Sequence, residues 1–327
     1  VVGLVGSEMC IRDRASSVQR AGRAGRLGPG KCYRLWSAEQ QQRLTAHAAP
    51  EILKADLAPL ALQLLQWGVD NPAELSWLDP PPAGHWQQAI GLLQSLGALE
   101  HKNNALVLTA HGQAMTALPV HPRLAHLLLR GAETGFTKPA ALLASLLSDR
   151  DPLSQETPDI EYRLDILTGE TSCPPRHRGW LNRTRQLARQ LEQQVVKLDI
   201  QKPGLSYLLG NVQVPGFLLA CAYPDRIARS RHSGGYQLAN GRSANIAGTH
   251  HLGQNRWLAV AEISGIAGGK GDIIRSAAAL DEKLFATALH DFERLETVAE
   301  WDKKNKRYVA EERQKIGALV LQKKILE

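Results

Sequence analysis

The hydrophobic pattern of the chain changes near Pro224, and this change restricts the fold more than any other feature. Before it, leucines recur at one-turn spacing in ILKADLAPLALQLLQWG (52–68), HWQQAIGLLQSLGAL (85–99) and the long segment 118–153. Such spacing predicts amphipathic helices. After it, short apolar runs such as YQLA and WLAVAEI alternate with glycines, which predicts short strands in a small β-barrel. We therefore expect a multidomain protein that is mainly α with added β.

Shorter signals predict individual turns and strands. Asn103-Asn104 divides LEHKNNALVLT (99–109) into two halves, which indicates a hairpin. Helices followed by a small hairpin suggest a winged-helix module. The segment GKCYRLWS (30–37) has the composition of a short strand, and residues 301–327 are typical of a final hairpin with a tail.

Two further helical features lie between these strands. Gly131, Gly135 and Pro139 predict a helix-turn-helix break in a small helical bundle. A basic helix is predicted to begin near Trp180. The tryptophans of the helical part are expected to be packing residues; they are Trp67, Trp77 and Trp86.

Length and composition indicate a folded chain of two to four domains. The 327 residues exceed what one core usually organises. Hydrophobic residues make up 43% and charged residues 22%, a balance that argues against disorder. No apolar run approaches the roughly 20 residues that span a bilayer, and no secretory signal is visible. We expect a cytoplasmic protein without a membrane partner.

Cysteine and histidine spacing gives no sign of a metal site. Widely separated cysteines are expected to be reduced thiols; they are Cys10, Cys32, Cys173 and Cys221. The histidines considered as ligands have no useful spacing and are expected in core or surface roles; they are His121, His250 and His251.

The net charge of +7 favours a polyanionic partner, with nucleic acid ahead of a membrane surface. Two arginine-rich regions are the candidate nucleic-acid contacts, one on the basic helix and one on the barrel. They contain Arg176, Arg178, Arg183, Arg185, Arg226, Arg229, Arg231 and Arg242. A solvated helix face remains an alternative for the first region. Tyr236 is either a stacking platform on the barrel or a core residue.

The segment QRAGRAGR, Gln19 to Arg26, places three arginines at three-residue spacing among glycines and alanines. Guanidinium groups match phosphate oxygens, and glycines let a backbone approach a ligand closely. The segment is either a phosphate-binding element or a solvated basic loop. Residues 1–14 resemble a translated sequencing-adapter peptide, so we expect the authentic chain to begin near Ala15 in mid-domain.

The arginine segment, followed by a strand and a winged-helix pattern, resembles the sixth motif of superfamily 2 helicases. The resemblance implies that Gln19 contacts the terminal phosphate of ATP and the attacking water, and that Arg23 and Arg26 are arginine fingers. Such fingers stabilise charge that develops in the transition state. Arg20 matches the remaining, more structural motif arginine, while Gly22 and Gly25 would keep the turns narrow at the nucleotide.

Later segments resemble the HrpB type of bacterial DEAH-box RNA helicase, and the resemblance covers residues 15–321. It includes the strings LPVHPRLAHLLL, LLSDRDPL, ACAYPDRIARSR and YQLANGRSA. It implies the end of a second RecA-like lobe, a winged-helix domain, a helical ratchet-type domain and a C-terminal region with an OB-like barrel and an extension. The implied ranges are 15–37, 38–118, 119–198 and 199–327.

The resemblance is incomplete, because the chain contains neither a Walker A loop nor a DEAH motif. The nearest imitation, GIAGGKGD (265–272), has one residue too few between its glycines and no Ser or Thr after Lys270. ATP and Mg²⁺ are therefore expected in a longer parent protein whose RecA-like lobes act in cis, and neither is expected to be held by this segment alone. The expected partner is single-stranded RNA, bound through its phosphates.

Two other classes of protein stay open on the sequence alone. The first is a free-standing nucleic-acid-binding adapter with winged-helix and OB-like modules. The second, weaker one is a winged-helix transcription regulator, which would need a recognition helix rich in base-reading side chains. The leucine-rich helices of this chain offer few of them.

Overall fold

A computed structural model describes residues 13–102, 105–200, 214–231, 235–246, 250–265, 272–302 and 307–326. These residues contain the following helices, in chain order: α1 (Arg14–Ala24), α2 (Ala38–Arg43), α3 (Ala58–Gln66), α4 (Ala83–Ser95), α5 (Ala110–Thr116), α6 (Pro122–Thr134), α7 (Thr137–Ser148), α8 (Ile160–Thr168), α9 (Arg178–Lys197) and α10 (Val214–Ala222).

The described strands form three separate sheets. They are β1 (Leu99–Lys102), β2 (Ala105–Leu108), β3 (Ile227–Ser230), β4 (Tyr236–Leu238), β5 (Ser243–Asn245), β6 (Trp257–Ser264), β7 (Asp272–Ala279), β8 (Arg294–Asp302), β9 (Arg307–Ile316) and β10 (Leu319–Leu326). Strands β1 and β2 pair as a hairpin, β3 to β7 close into a barrel, and β8 to β10 form a three-stranded sheet.

The chain divides into two compact units, Val1–Leu57 with Asn71–Gln87, and Ala58–Asp70 with Gln88–Glu327. The first unit contains α1 and α2.

The predicted strand over 30–37 is wrong, because residues 29–34 have no regular structure and Leu35 is almost fully exposed. A short strand without a sheet to join leaves its backbone groups unpaired, so it gains nothing from extended pairing.

In the second unit, helices and hairpin form where the leucine pattern predicts them. Gly68, with φ of +82°, follows the end of α3, and Thr109 caps α5 directly after the hairpin. The tryptophan expectation holds for Trp86, which is buried, and fails for Trp67, which is 73% exposed. Trp67 lies beyond the last residue of α3, and the apolar face of that helix therefore does not include it.

The break between α6 and α7 lies at Gly135, which adopts φ of +85°. Gly131 lies before this break and Pro139 lies after it, in the first turn of the next helix, where proline is compatible with a helix start. Gly131 is buried within α6, where an added Cβ would overlap the Cβ of Ala140 on α7. Gly131 therefore permits close packing of α6 on α7, and it does not end α6.

Helix α10 was not anticipated, and it joins the helical part to the barrel. All its residues except the partly exposed Pro215 are buried, and it packs on α6, β6 and β7. An added Cβ at Gly216 would overlap the carbonyl oxygen of Ala279 at the end of β7. The helix is apolar on every side because it is covered on every side.

The barrel has the strand order β3-β4-β5-β7-β6, with β5 and β7 parallel and the other pairs antiparallel. Its core is aliphatic apart from Tyr236 and includes Leu238, Leu258, Val260 and Ile274. The predicted final hairpin is present, but the expected tail is a strand of a three-stranded sheet, since β10 pairs along most of β9. The turn before β10 rests on the barrel, where Ala318 donates a hydrogen bond to the carbonyl oxygen of Ala239 at 2.7 Å.

Candidate nucleotide-facing helix and nucleic-acid interface

Helix α1 begins at a capped N-terminus. The carboxylate of Asp13 accepts hydrogen bonds from the backbone N–H of Ser16 at 2.7 Å and from its hydroxyl at 2.9 Å. These bonds hold the pKa of Asp13 below its ordinary value, and the backbone bond contributes most. The cap, which belongs to the segment that resembles adapter sequence, fixes where the helix starts and therefore which residues share a face.

The first unit holds α1 through Gln41 on α2. The Oε1 atom of Gln41 accepts hydrogen bonds from the indole of Trp36 at 2.8 Å and from the hydroxyl of Ser17 at 3.4 Å. Ser37 and Gln40 form a reciprocal capping box at the start of α2. These contacts leave the opposite side of α1 to solvent.

The motif side chains lie on that exposed side. Gln19, Arg20 and Arg23 are on α1, Arg26 follows within one turn, and all four are exposed. Gln19 and Arg23 are one turn apart and thus share a face. Among the described residues none of these arginines has a carboxylate partner. Three guanidinium groups within eight residues are thus exposed and not neutralised by a carboxylate of the described residues.

The two motif glycines differ in their surroundings. Gly22 lies inside α1, where an added Cβ would have no neighbour within 4 Å, so it forms no turn. Gly25 lies in the turn that ends the helix, with φ of −101°, and the backbone N–H of Arg26 donates to the carbonyl oxygen of Arg23 at 3.4 Å across it. The close approach is at Gly30, where an added Cβ would overlap the carbonyl oxygen of Ala24.

Helix α9 buries one stripe and exposes arginines on the other side. Trp180, Thr184, Ala188, Leu191 and Val195 form the buried stripe, which packs chiefly on α7. The spacing of three and four residues explains why the helix forms here despite its charge.

The basic residues around α9 separate into two groups. Arg176 and Arg183 are mostly exposed and face the carboxylates of Glu156 and Asp149, at 2.5 and 3.8 Å, while Arg178 is exposed without an acidic partner among the described residues. Exposed ion pairs are worth little, so these guanidinium groups can exchange a carboxylate for a phosphate.

Arg185 belongs to the other group, because it is engaged inside the fold. Its Nε donates a hydrogen bond to the carbonyl oxygen of Leu167 at 2.8 Å, and its Nη2 donates one to Ile166 at 3.3 Å. The side chain thus satisfies carbonyl groups at the C-terminal end of α8. A structural function accounts for Arg185.

Two of the barrel arginines are also structural. Arg226 donates a hydrogen bond to the carbonyl oxygen of Ala261 and stacks on the ring of Tyr223 at 4.9 Å. Burial, followed by the nearby charge of Arg123, lowers its pKa. Arg229 donates to the carbonyl oxygen of Val320 at 2.7 Å and so ties the barrel to the three-stranded sheet.

The other two barrel arginines are more accessible. Arg231 is exposed and donates to the hydroxyl of Ser243 at 2.9 Å, and the exposed Arg242 pairs with Asp272 at 2.6 Å. Tyr236 is a core residue, not a stacking platform. It is buried, and its hydroxyl donates toward the carbonyl oxygens of Leu252 and Asn255 at 3.0 and 2.8 Å.

The histidines have structural partners. Nδ1 of His121 and Nδ1 of His250 accept backbone hydrogen bonds at local turns, and Nε2 of His251 lies 3.1 Å from Oδ2 of Asp159. Within the described ranges no group of three His, Cys, Asp or Glu residues converges as metal ligands would. Residues 266–271 of the GIAGGKGD segment lie outside the described residues.

None of the helices in the described part of the chain combines the length and apolarity needed to cross a bilayer.

The described cysteines form no disulfide bonds. Cys32, Cys173 and Cys221 are free thiols, and Cys10 lies outside the described residues. Burial raises the pKa of the Cys221 thiol to about 11.

One pair of exposed aromatic residues was missed at the sequence level. Trp301 and Tyr308 lie directly opposite each other on β8 and β9. Their position at the two ends of the lysine-rich string WDKKNKRY could have identified them. Aromatic residues that flank basic residues are typical of surfaces that bind single-stranded nucleic acid.

Comparison with known proteins relates this chain to one helicase family. A family model described as ATP-dependent RNA helicase HrpB, connector region, matches residues 295–326. The ATP-dependent RNA helicase HrpB of Escherichia coli (strain K12) is 39% identical over 246 residues, which are 75% of this chain and 27% of that protein. Mouse DHX33, an ATP-dependent RNA helicase, is 38% identical over 146 residues, 44% of this chain and 21% of its own length.

Solved structures agree with these sequence matches. The crystal structure of the E. coli DExH-box NTPase HrpB matches with a TM-score of 0.72 and 32% identity, over 96% of this chain and 36% of that one. A second E. coli HrpB structure, of the DEAH/RHA helicase, gives a TM-score of 0.71. The chain thus covers between 21% and 36% of the length of these proteins. It is a homologue of the carboxy-terminal region of HrpB-type DEAH-box ATP-dependent RNA helicases.

Proposed function

We propose that this chain is the carboxy-terminal part of an ATP-dependent RNA helicase, in which it supplies arginine fingers and the domains that line the RNA channel. In the proposal, other lobes of the same protein hold ATP and Mg²⁺. Gln19 contacts the terminal phosphate and the attacking water, and Arg23 and Arg26 stabilise the charge that spreads over the phosphate oxygens. Arg20 has the supporting role.

The observation that carries the proposal is the arrangement on α1. Gln19 and Arg23 share an exposed face, Arg26 follows within a turn, and no carboxylate neutralises the arginines within the described part of the chain. A guanidinium that already has an acidic partner would be a weak finger, since phosphate would have to displace that partner. The names of the E. coli relatives, an ATP-dependent RNA helicase and a DExH-box NTPase, support ATP as the nucleotide that such fingers would contact.

We assign the appended modules as follows. Residues 15–37 are the end of a second RecA-like lobe, and 38–118, with the β1–β2 hairpin as its wing, are a winged-helix domain. Residues 119–198 are a ratchet-type helical domain, and 199–327 contain an OB-like barrel with the HrpB extension. The closed five-stranded barrel and its helical neighbours support this assignment.

RNA binding is assigned to the accessible arginines only. We propose that Arg176, Arg178 and Arg183 bind RNA phosphates, with Arg231 and Arg242 as a second group on the barrel. Arg185, Arg226 and Arg229 are left out, because their guanidinium groups already donate to backbone carbonyls. Single-stranded RNA is the expected ligand, since exposed guanidinium groups bind backbone phosphates whatever the base sequence is.

The test measures RNA-stimulated ATP hydrolysis by a longer helicase that contains this segment. Arg23→Ala with Arg26→Ala is expected to lower kcat by about a thousandfold or more, whereas Arg34→Ala, an exposed arginine of the same unit, is the matched control and should leave kcat unchanged. Equal rates for wild type and the double variant would refute the finger assignment. The isolated 327-residue chain should hydrolyse no ATP, and Mg²⁺-dependent, RNA-stimulated turnover by it would also refute the proposal.

A stand-alone nucleic-acid-binding adapter is the second candidate, favoured by the same basic surface. It predicts RNA binding by the isolated chain and assigns Arg23 and Arg26 only an electrostatic contribution, so their replacement should leave the rate of ATP hydrolysis unchanged. The ATPase experiment therefore separates the two functions.

A further inference from the structure

On one face of the three-stranded sheet, β8 carries an exposed and mostly apolar strip, which polar residues of β9 border. Side chains alternate along a strand, so Leu295, Thr297, Ala299 and Trp301 of β8 lie on the same face. All four are exposed, and Leu295 is 71% accessible. Tyr308 of β9 lies opposite Trp301 at one end of this strip.

Trp301 and Tyr308 form an exposed aromatic pair. Their ring centroids are 5.0 Å apart with an interplanar angle of 69°, and 50% of Trp301 and 75% of Tyr308 are accessible. In an edge-to-face pair, the edge of one ring covers one face of the other. The ring that contributes its edge therefore has neither of its own faces covered by its partner. Large aromatic side chains normally contribute to burial, and an exposed adjacent pair indicates a binding surface.

The opposite face of the sheet carries charges that neutralise one another. Lys315 lies 2.8 Å from Glu296, and Glu311 is 2.9 Å from Arg313 and 3.5 Å from Lys323. Hydrogen bonds from Lys315 and Arg313 lower the pKa values of Glu296 and Glu311, respectively. Glu296 and Glu311 are thus already paired with cations of the sheet itself.

The sequence around the aromatic pair is basic. Residues 294–327 contain nine Lys and Arg against six Asp and Glu. Three of the lysines stand between Trp301 and Tyr308 in the sequence, within 303–306, which lie outside the described residues. Exposed rings in a basic stretch of sequence suit a ligand that has negative charges and flat apolar faces.

We propose that Trp301 and Tyr308 form a stacking platform for bases of single-stranded RNA. The inference rests on the proposed function, which supplies RNA as the ligand, and it adds a contact on a sheet to which no RNA contact was assigned above. A protein partner would be expected to use the whole apolar strip, including Leu295, whereas bases require the two rings. Stacking of this kind tolerates any base because every base has a π-face.

The experiment measures binding of the 327-residue chain to a fluorescein-labelled single-stranded RNA by anisotropy, over a range of salt concentrations. Trp301→Ala with Tyr308→Ala is expected to weaken binding about tenfold. The slope of log affinity against log salt should stay unchanged, since no phosphate contact is removed. Trp301→Phe with Tyr308→Phe should restore affinity, and Leu295→Ala, on the same exposed face, should bind as wild type does.

The possible outcomes separate this inference from the proposed function. If the wild type binds RNA and the alanine pair binds equally well, the platform is refuted while the helicase assignment stands. If the wild type does not bind RNA at all, the proposed RNA role fails together with the platform. If the alanine pair or Leu295→Ala changes the oligomeric state and leaves RNA affinity unchanged, the strip is an interface between copies of the chain and the platform is refuted. The phenylalanine pair shows whether a loss reflects misfolding, because it keeps the rings and the packing.

Discussion

Arg163 and Asp151 form an ion pair, with Nε 2.5 Å from Oδ2, and the arginine side chain is completely buried. The same guanidinium donates hydrogen bonds to the carbonyl oxygens of Asp159 and Thr157. One side chain on α8 thus holds both ends of the connection between α7 and α8. That connection also contacts the barrel, where the backbone N–H of Ala277 donates to the carbonyl oxygen of Pro158 at 2.8 Å.

Replacing Arg163 by Met is expected to destabilise the fold by about 3–5 kcal/mol, because Asp151 would remain as a buried charge without its partner. Urea denaturation monitored by circular dichroism measures the free energy of unfolding. Arg150→Ala, an exposed arginine in the same connection, is the control and should change stability little. A loss for Arg163→Met as small as that of the control would show that the ion pair does not organise this region.

Gly131→Ala is expected to destabilise the helical region by about 1–3 kcal/mol, because the added methyl group would overlap Ala140 and separate α6 from α7. Gly91→Ala is the matched substitution on α4, where an added Cβ meets no atom within 4 Å. It should be neutral or stabilising, by up to about 1 kcal/mol. Thermal unfolding compares the two variants, and equal Tm values would contradict the close packing of α6 on α7.

The arginines near α9 are expected to differ in function according to their contacts. Arg176→Ala with Arg178→Ala should weaken RNA binding and reduce the slope of log affinity against log salt by about 1.4, the value for two phosphates on a single strand. Arg185→Ala should keep that slope and instead lower stability by about 1–2 kcal/mol, since it exposes unsatisfied carbonyls at the end of α8. RNA titrations at several salt concentrations and urea denaturation test both statements. A smaller salt slope for Arg185→Ala, with unchanged stability, would show that Arg185 contacts the RNA and would contradict its structural assignment.

The stability of the second unit is expected to fall in mild acid because of a histidine pair. Nε2 of His111 lies 2.8 Å from Nδ1 of His126, and burial lowers the pKa of both, with Arg130 lowering them further and Glu133 opposing this at His111. A histidine whose pKa is lower in the folded state binds a proton more readily in the unfolded state. Its neutral form is therefore compatible with the fold above the unfolded pKa of about 6.5, and protonation below that value favours unfolding. Stability is lost as pH falls through 6.5, by up to about 1.4 kcal/mol per pH unit for each histidine.

The measurement compares the free energy of unfolding at about pH 7.5 and about pH 5 for wild type and His126→Asn. The amide cannot titrate, so the variant should lose less stability than wild type over this interval. Equal losses would mean that His126 is not a source of the pH dependence. The difference between the two proteins cancels the contribution of carboxylates that both share.

Much of the fold follows from local sequence. The leucine spacing predicts α3, α4, α6 and α7, the Asn103-Asn104 signal predicts the β1–β2 hairpin, and the glycine-rich segment after Pro224 forms a barrel of short strands. These features depend on hydrophobic periodicity and on turn residues, and both are visible within a few neighbouring residues of the sequence. The tail after Gly317 was harder to predict, because its pairing with β9 depends on a register that only the partner strand provides.

The sequence by itself determined which residues carry the helicase resemblance, since a motif such as Gln19 to Arg26 is a local string. Only the tertiary structure decided which arginines stay available to a ligand. Arg178 and Arg185 look alike in the sequence, yet one is exposed and the other satisfies the carbonyls of α8. Likewise, Tyr236 is buried while Tyr308 is exposed. The physical reason is that accessibility and hydrogen-bond partners come from residues far apart in the chain, and no local pattern encodes their distance in space.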